Sequence, residues 1–203
     1  MRLIFVLLQG FFALSALSAP FEYVVVGISG FGTRRATENY WQPSGAHENL
    51  PNSYRIVETH KLVHYSKKKE LLNALSLFDC KDGRQLNDDL GLIIIGNSWG
   101  ASNTYKLSKL YKEECGRVAR LVVMVDGVRK PIGSYKKRPF AKQCINYYQT
   151  TGFAHGRKLE DCENIDLTSY CKKRGKECHI EVEWLGTRDA KRFIERALKL
   201  EKL

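Results

Sequence analysis

The deciding stretch of the sequence is Gly91-Leu-Ile-Ile-Ile-Gly96-Asn97-Ser98-Trp99-Gly100-Ala101. Its residues 92–95 form an unbroken apolar run, mostly β-branched, which is typical of a strand that is covered on both faces. Glycines bound the segment that follows, and residues 101–114 have the partial apolar face of a helix. The stretch therefore predicts a buried strand, a tight turn and a helix.

The turn carries a serine in the pattern G-x-S-x-G, formed by Gly96, Ser98 and Gly100. In a nucleophile elbow, such a serine sits in a strained turn that pushes its hydroxyl above the sheet. The two glycines remove side chains that would collide with the strand and the helix, and the helix points the positive end of its dipole at the serine. A five-residue pattern also arises by chance, with Ser98 only capping the helix. The strand before it and the helix after it favour the nucleophile.

A further apolar run, residues 118–125, ends at Asp126. A strand, a helix and a second strand in this order are expected to form a right-handed parallel unit. Ser98 and Asp126 then lie at the carboxyl edge of one sheet, where open α/β sheets place their sites. The alternative is an aspartate that starts a turn with Gly127. The order and the placement favour Asp126 as the acid partner of the serine.

Residues 23–28 predict another buried strand, and a glycine-rich turn, Ser29-Gly30-Phe31-Gly32, follows it. No Lys-Ser/Thr pair comes after these glycines and no G-x-G-x-x-G pattern is completed, so a phosphate-binding loop is a poor match. An ordinary strand-to-loop corner stays the alternative to a functional turn. Elsewhere the pattern predicts a strand within residues 54–65, an amphipathic helix over 66–78 and a polar loop over 79–89.

The segment 93–127 resembles the serine-elbow region of the α/β-hydrolase family, particularly its lipases and esterases. Many of those proteins have histidine before the serine, where this chain has Asn97, a residue that shapes the turn rather than taking part in the chemistry. The resemblance implies an α/β fold: a three-layer α/β/α sandwich around a mostly parallel central sheet. The early strands of larger hydrolases are missing, so residues 19–203 are expected to form a single, minimal domain of that kind.

The resemblance also implies a catalytic triad. Ser98 is the expected nucleophile and Asp126 the acid, and the family's chain order then requires a histidine downstream of the acid. His179 is favoured over His155, because the family's histidine typically lies in a loop just ahead of a final helix, here residues 188–200.

An oxyanion hole is implied as well. Its expected donors are the N–H groups of Trp99 and of Phe31, or of a residue one position from Phe31. The implied reaction is hydrolysis of a carboxylic ester, with an ester or lipid as the substrate, through an acyl-enzyme intermediate and without a cofactor or metal.

The amino terminus has the features of a secretory signal peptide. Arg2 precedes an apolar run over residues 3–12, and small residues follow up to residue 19. Ala16-Leu17-Ser18 supplies a cleavage pattern, which predicts a signal peptide over residues 1–18 and a secreted or periplasmic mature protein. An uncleaved amino-terminal anchor is the alternative, but the apolar run is short for a transmembrane span.

The six cysteines all follow the leader, and an even number predicts disulfides in an exported protein. Four of them crowd the last third of the chain, which favours local bridges in that region. No C-x-x-C pair occurs, so a zinc site is a poor match.

The chain is strongly basic, with a formal net charge of +11. In an exported protein this charge favours attraction to an anionic membrane or cell-envelope surface. No nucleic-acid-binding signature occurs, so nucleic acid is a poor match as a partner. Two other functions stay open: an inactive hydrolase-fold protein that binds an envelope component, and a basic, disulfide-bridged binding protein whose G-x-S-x-G pattern is coincidental. The sequence predicts no oligomeric state.

Overall fold

The computed structural model describes residues 22–28, 54–59, 72–73, 75–86, 90–128, 137–152 and 155–173, together with 178–179, 181–182, 185–186, 189 and 192. The predicted leader over residues 1–18, Phe31 and much of the predicted helices over 66–78 and 188–200 lie outside the described residues. The described elements are, in chain order, β1 (Glu22–Ile28), β2 (Tyr54–Thr59), a 3-10 turn (Ser76–Phe78), β3 (Cys80–Lys81), β4 (Arg84–Gln85), β5 (Leu90–Asn97), α1 (Ala101–Cys115), β6 (Ala119–Val125), β7 (Ala141–Tyr148), β8 (Glu163–Asp166) and α2 (Thr168–Lys172).

Six of the strands form one sheet in the order β2-β1-β5-β6-β7-β8, and each neighbouring pair is parallel. Helix α1 connects β5 to β6, and these two strands lie side by side, as expected for a strand-helix-strand unit. This confirms the coarse prediction of an α/β fold with a parallel sheet.

Strands β1, β5, β6 and β7 end together at one edge of this sheet. Ile28 pairs with Gly96, Asn97 with Val125, and Val125 with Tyr147. The direction of winding reverses between β1 and β5, because β2 lies outside β1 whereas β6, β7 and β8 follow β5 in chain order. Such a reversal opens a crevice at the carboxyl ends of the strands, where open α/β sheets bind ligands. The residue that directly follows β5 lies at this crevice.

The sheet buries an apolar cluster on each face, which explains the unbroken apolar run of β5. Leu92 and Ile94 pack with α1 in one cluster, whereas Ile93 and Ile95 belong to the other. All four side chains are at most 1% exposed. The second cluster also takes in residues from the chain after β8, namely Cys171, Cys178 and Val182. Burying a side chain of this size stabilises the fold by roughly 1.5–3 kcal/mol.

The region predicted as a polar loop, residues 79–89, contains a short hairpin. β3 and β4 pair antiparallel, with Cys80 opposite Gln85. The turn between them is Asp82-Gly83, and both residues have positive φ, 49° and 73°. Strands of two residues are too short to give a period-two pattern, so the hydrophobic periodicity could not reveal this hairpin.

The predicted helices also differ from the structure in their described parts. Within the helix predicted over 66–78, Leu72 and Asn73 are helical, but Ser76–Phe78 forms a 3-10 turn. At the other end of the chain, every described residue from 178 to 192 is helical. Helical structure therefore begins well before residue 188, and His179 lies within it rather than in a loop ahead of it. The predicted loop position of His179 is wrong.

All six cysteines form disulfides. The pairs are Cys80–Cys115, Cys144–Cys162 and Cys171–Cys178. Two of the three bridges join cysteines of the last third of the chain, as their crowding there predicts. Three disulfides indicate that the protein matures in an oxidising compartment. Among the described residues, no helix combines the length and the apolar composition that a membrane crossing needs.

Candidate active site

Ser98 directly follows β5 and turns the chain sharply out of the sheet. Its N–H donates a last ladder hydrogen bond to the Val125 carbonyl, at 2.8 Å. Its φ is then +52°, in the left-handed region that a residue with a side chain rarely adopts. The Gly100 N–H closes the turn by donating to the Asn97 carbonyl, at 2.7 Å. Ser98 therefore has the strained strand-to-helix conformation of a nucleophile elbow.

Gly96 lets helix α1 return close to the strand that it leaves. A Cβ atom at Gly96 would lie 2.6 Å from Thr104 Cγ2, 2.7 Å from the Gly100 carbonyl oxygen and 2.8 Å from Ala101 Cα. Two of these atoms belong to the backbone, which cannot move aside as a flexible side chain would. The glycine of the G-x-S-x-G pattern is thus required by the close approach of strand and helix.

Asp126 follows β6 in the same way that Ser98 follows β5. Its N–H donates to the Tyr147 carbonyl at 2.8 Å, its φ is +42°, and it is fully buried. Two neighbouring strands therefore each end in a polar residue with positive φ at the same edge of the sheet. As a result, Ser98 and Asp126 lie near each other above the carboxyl ends of β5 and β6.

His179 joins the two residues into a hydrogen-bonded chain. Its Nδ1 lies 2.6 Å from Asp126 Oδ2, and its Nε2 lies 3.0 Å from Ser98 Oγ. A carboxylate can only accept, so Nδ1 carries the proton and Nε2 is left to accept from the serine hydroxyl. The His179 side chain is 20% exposed, whereas Asp126 has no exposed side-chain surface. Of these two partners, the imidazole is therefore the one exposed to solvent.

Further donors hold the buried carboxylate of Asp126. The Gly156 N–H donates to Oδ1 at 2.9 Å, and the Gln149 side-chain amide donates to Oδ2 at 2.9 Å. The Gln149 backbone N–H adds a longer contact of 3.4 Å to Oδ1. A buried charge is tolerated only when it is paired and hydrogen-bonded, and these donors supply that environment.

Gln149 and Gly156 are not among the site residues that the sequence predicts. A Cβ atom at Gly156 would lie 3.0 Å from Asp126 Oδ1, so a larger residue would push the backbone N–H away from the carboxylate. Gln149 directly follows β7, just as Ser98 follows β5 and Asp126 follows β6. A polar residue immediately after each of three neighbouring strands is the signal that could have identified Gln149.

The structure brings His179, and not His155, to Ser98. The His155 side chain is exposed, and its Nδ1 lies 2.9 Å from the Gly152 carbonyl oxygen. The loop that carries His155 instead contributes the N–H of the next residue, Gly156, to Asp126. This loop thus contacts the candidate acid, Asp126, and does not supply the candidate base.

Several contacts hold the histidine segment, by which we mean the described residues from 178 to 192. The Cys171–Cys178 disulfide ties its first residue to α2. The Tyr170 hydroxyl donates to Glu181 Oε2 at 3.0 Å. Gly186 packs directly on the Val125 side chain, since a Cβ atom there would lie 2.5 Å from Val125 Cγ1.

Tyr147 forms another link between β7 and the histidine segment. Burial is the main reason that the pKa of this phenol lies far above its ordinary value, and the nearby carboxylates of Asp189 and Glu163 raise it further. The phenol therefore keeps its proton and can donate a hydrogen bond to Asp189 of the histidine segment. His179 is thus carried by a segment fixed to both β6 and β7.

Of the two predicted oxyanion donors, only Trp99 is a described residue. It is half-buried and follows Ser98 in the turn that leads into α1. Phe31 lies outside the described residues, so its role stays a prediction. Ile28, the last residue of β1, pairs with Gly96. Strand β1 therefore ends beside the turn that carries Ser98, three residues before Phe31 in the chain.

A cleft of about 180 Å³ lies at the opposite, amino edge of the sheet. Its lining residues are Leu90, Gly91, Tyr111, Arg117, Val118, Arg120 and Lys142. They belong to α1, to the link between α1 and β6, and to the starts of β5, β6 and β7, so the whole length of β5, roughly 25 Å, separates the cleft from Ser98. In the part of the chain that the structure describes, no three His, Cys, Asp or Glu side chains are grouped so as to hold a metal ion.

No protein-family model matches the chain, and no curated protein matches it either. A functional conclusion must therefore come from the geometry of Ser98, His179 and Asp126.

Proposed function

We propose that the protein is a secreted serine hydrolase that cleaves carboxylic esters, with an ester or lipid as its substrate. The observation that carries this proposal is the chain of hydrogen bonds from Ser98 Oγ to His179 Nε2 and from His179 Nδ1 to Asp126 Oδ2. It has the order and the distances of a serine-histidine-aspartate triad.

The proposed reaction begins when Ser98 Oγ attacks the ester carbonyl carbon and its proton passes to His179 Nε2. The tetrahedral intermediate then breaks the bond to the alcohol oxygen, and the alcohol leaves with the proton from Nε2. Water, deprotonated by the same nitrogen, attacks the acyl-enzyme. The bond between the acyl carbon and Ser98 Oγ then breaks, Nε2 returns the proton to Oγ, and the carboxylic acid leaves. Asp126 stays ionised and stabilises the imidazolium in both halves of the reaction.

The proposed oxyanion hole consists of the N–H groups of Trp99 and Phe31. Backbone N–H groups aimed at the developing negative charge are worth far more in a water-poor site than in bulk water. The position of Trp99 directly after the nucleophile, and of β1 directly beside β5, supports this assignment.

The finer fold that we propose is a minimal α/β-hydrolase, a three-layer α/β/α sandwich over residues 19–203. Three features support it: the elbow after a central strand, the chain order serine, acid, histidine, and the burial of both faces of a parallel sheet. The three disulfides support a secreted or periplasmic location, behind a signal peptide over residues 1–18.

The backbone strain and the buried charge of the site are better explained by a catalytic role than by a binding role. Ser98 has a positive φ, which is strained for a serine, and a buried carboxylate faces the histidine. A protein that only binds an anionic envelope component needs neither the strain nor the buried charge. A non-catalytic role is therefore the outcome that an absence of turnover would favour.

The test is hydrolysis of p-nitrophenyl esters from short to long acyl chains by the mature protein. Ser98→Ala should abolish turnover. Ser108→Ala is the matched control, because Ser108 is also buried but lies roughly two turns along α1, away from Ser98, where its hydroxyl donates to the Tyr105 carbonyl. The preferred chain length would distinguish an esterase from a lipase. A folded protein without turnover on any chain length would contradict the proposal.

A further inference from the structure

Gln149 is a buried amide that contacts the acid of the proposed triad and not the nucleophile or the base. It is 1% exposed, and its Nε2 donates to Asp126 Oδ2 at 2.9 Å. The same oxygen accepts the Nδ1 proton of His179 at 2.6 Å. One carboxylate oxygen therefore receives a hydrogen bond from the imidazole and another from the glutamine.

Thr151 fixes the orientation of the Gln149 amide. Gln149 Oε1 accepts from the Thr151 N–H and from its hydroxyl, each at 2.6 Å. Because a carbonyl oxygen is needed to accept from the N–H, the NH₂ group of the amide must face Asp126. Gln149 thus presents a donor to the carboxylate in one orientation only.

The carboxylate can rotate about its Cβ–Cγ bond only by breaking these hydrogen bonds. Gly156 and the Gln149 backbone hold Oδ1, while the Gln149 side chain holds Oδ2. The lone pair of Oδ2 that is left then points at His179 Nδ1. During the proposed reaction this imidazole gains a proton, and a correctly directed carboxylate stabilises the charge that develops.

We propose that Gln149 is a positioning residue, which holds the Asp126 carboxylate in the plane that orients His179 toward Ser98. This role rests on the proposed hydrolase function. Among its described hydrogen bonds, Gln149 reaches the proposed triad through Asp126. Its loss should therefore lower kcat and leave KM nearly unchanged.

The chain contains a closely matched control for Gln149. Gln85 is also 1% exposed, its Nε2 donates to the Leu90 carbonyl at 2.8 Å, and its Oε1 accepts from the Tyr111 hydroxyl at 2.6 Å. It lies by the amino end of β5, at the other edge of the sheet from Ser98. The described hydrogen bonds of the side chain number three at Gln149 and two at Gln85, and only those of Gln149 include a member of the proposed triad.

The experiment compares Gln149→Met with Gln85→Met in the mature, disulfide-bonded protein. Gln149→Met should lower kcat by about 10- to 100-fold, the effect of losing one hydrogen bond to a charged group. Gln85→Met should lower the melting temperature to a similar degree and leave kcat within about twofold. Equal and small effects of the two substitutions on kcat would overturn the positioning role.

A second variant separates the donor from the packing. Gln149→Glu keeps the length of the side chain and an acceptor for Thr151, but it can donate to Asp126 only while the new carboxyl is protonated, and when ionised it adds a negative charge next to Asp126. When protonated, the new carboxyl can donate again. The ratio of its kcat to that of the wild type should therefore rise as the pH is lowered. A ratio that is independent of pH would contradict a role for the donated hydrogen bond.

The proton resonance of His179 Nδ1 gives a readout that does not require turnover. A strongly downfield-shifted NMR signal is expected for this proton in the wild type, and Gln149→Met should move or broaden it while Gln85→Met leaves it in place. An inactive wild type would contradict the proposed function, yet this resonance would still report whether Gln149 positions Asp126. An unchanged resonance in Gln149→Met would overturn the inference even if the protein hydrolyses esters.

Discussion

The elbow and the histidine segment meet at one hydrogen bond, between Ser98 Oγ and His179 Nε2, but each reaches it by a different route. The elbow is positioned by its own neighbours in the chain, since β5 and α1 flank it and Gly96 lets them pack closely. The histidine segment is positioned from outside, by the Cys171–Cys178 disulfide and by packing on β6. Local sequence thus encodes the turn that carries Ser98, the proposed nucleophile, whereas tertiary contacts place His179, the proposed base.

The largest effect is expected from removing the base itself. His179→Ala should lower kcat/KM by on the order of 10⁴-fold, because the serine loses the group that takes its proton. His155→Ala is the control, since that ring is exposed and contacts only the Gly152 carbonyl among its described partners. Steady-state kinetics on an ester substrate would measure both variants. A comparable loss in His155→Ala would mean that the wrong histidine has been assigned.

Substitution in the elbow should have the next largest effect. Gly96→Ala places a Cβ atom against backbone atoms of Gly100 and Ala101, and displacing Ser98 by about 1 Å costs on the order of 100-fold in rate. Overpacking of this kind also destabilises a fold by about 1–3 kcal/mol. Kinetics and thermal unfolding would report the two effects separately.

Gly91→Ala is the matched control for the elbow, because Gly91 lies on the same strand. A Cβ atom there would meet the Tyr23 ring at 2.9 Å and Arg120 Cγ at 3.1 Å, both parts of side chains at the far end of β5. It should lower stability without changing kcat. If both alanine variants kept full activity, the close approach at Gly96 would not be needed to hold the nucleophile.

The elbow is positioned by its neighbours in the chain and the histidine segment by tertiary contacts. Two disulfides should therefore rank in opposite order in their effects on stability and on rate. Removing Cys171–Cys178, a separation of 7 residues, should cost about 2 kcal/mol of stability, and removing Cys80–Cys115, a separation of 35, about 4 kcal/mol. The rate should follow the reverse order, with a loss of about tenfold only when the bridge next to His179 is missing. The test compares two variants, each with both cysteines of one bridge replaced by alanine, by chemical denaturation and by kcat. A rate loss that simply follows stability would contradict the opposite order.

The smallest effect is expected at Asp166, which lies just before α2, the helix that carries Cys171. Hydrogen bonds from the Thr168 side chain and backbone are the main reason that the pKa of Asp166 lies below its ordinary 3.8, and the Tyr148 hydroxyl also donates to this carboxylate. Because the folded pKa is the lower one, the stabilisation is present above the ordinary value and is lost as the pH falls through the folded value. Asp166 is exposed, so the effect is screened and small.

Asp166→Asn tests that statement. It should lower the melting temperature slightly at neutral pH, and the difference from the wild type should shrink below about pH 4. A difference that stays constant down to pH 2 would show that the charge of Asp166 contributes nothing to the fold.

The difference between local and tertiary positioning also explains how well the sequence predicts each region. The elbow strand, Ser98 and Asp126 could be predicted because each follows an apolar run, and a period of apolar residues is a local signal. Strand β7 lacks such a run, since Asn146 is fully buried within it and is paired with the Arg157 carbonyl and Asn164 Oδ1. A buried polar residue whose partners lie 11 and 18 residues away interrupts the apolar run from which a buried strand is predicted.

Chain order limits the candidate histidine to His155 and His179, but the sequence does not predict the structure around it. His179 lies in a helical segment that begins before residue 188, next to a disulfide whose pairing no spacing rule gives. Gln149 and Gly156 were missed because their role depends on a carboxylate more than 20 residues away. Their role can be recognised only in the folded protein, where the residues that follow neighbouring strands lie together at the carboxyl edge of the sheet.

The most direct test of the triad is the site of labelling by a fluorophosphonate, a probe that reacts only with an activated serine. In the folded mature protein it should modify Ser98 alone, as located by mass spectrometry, and His179→Ala or prior denaturation should abolish the modification. Absence of labelling in the folded wild type, or labelling at another serine, would contradict the assignment of Ser98 as a nucleophile activated by His179 and Asp126.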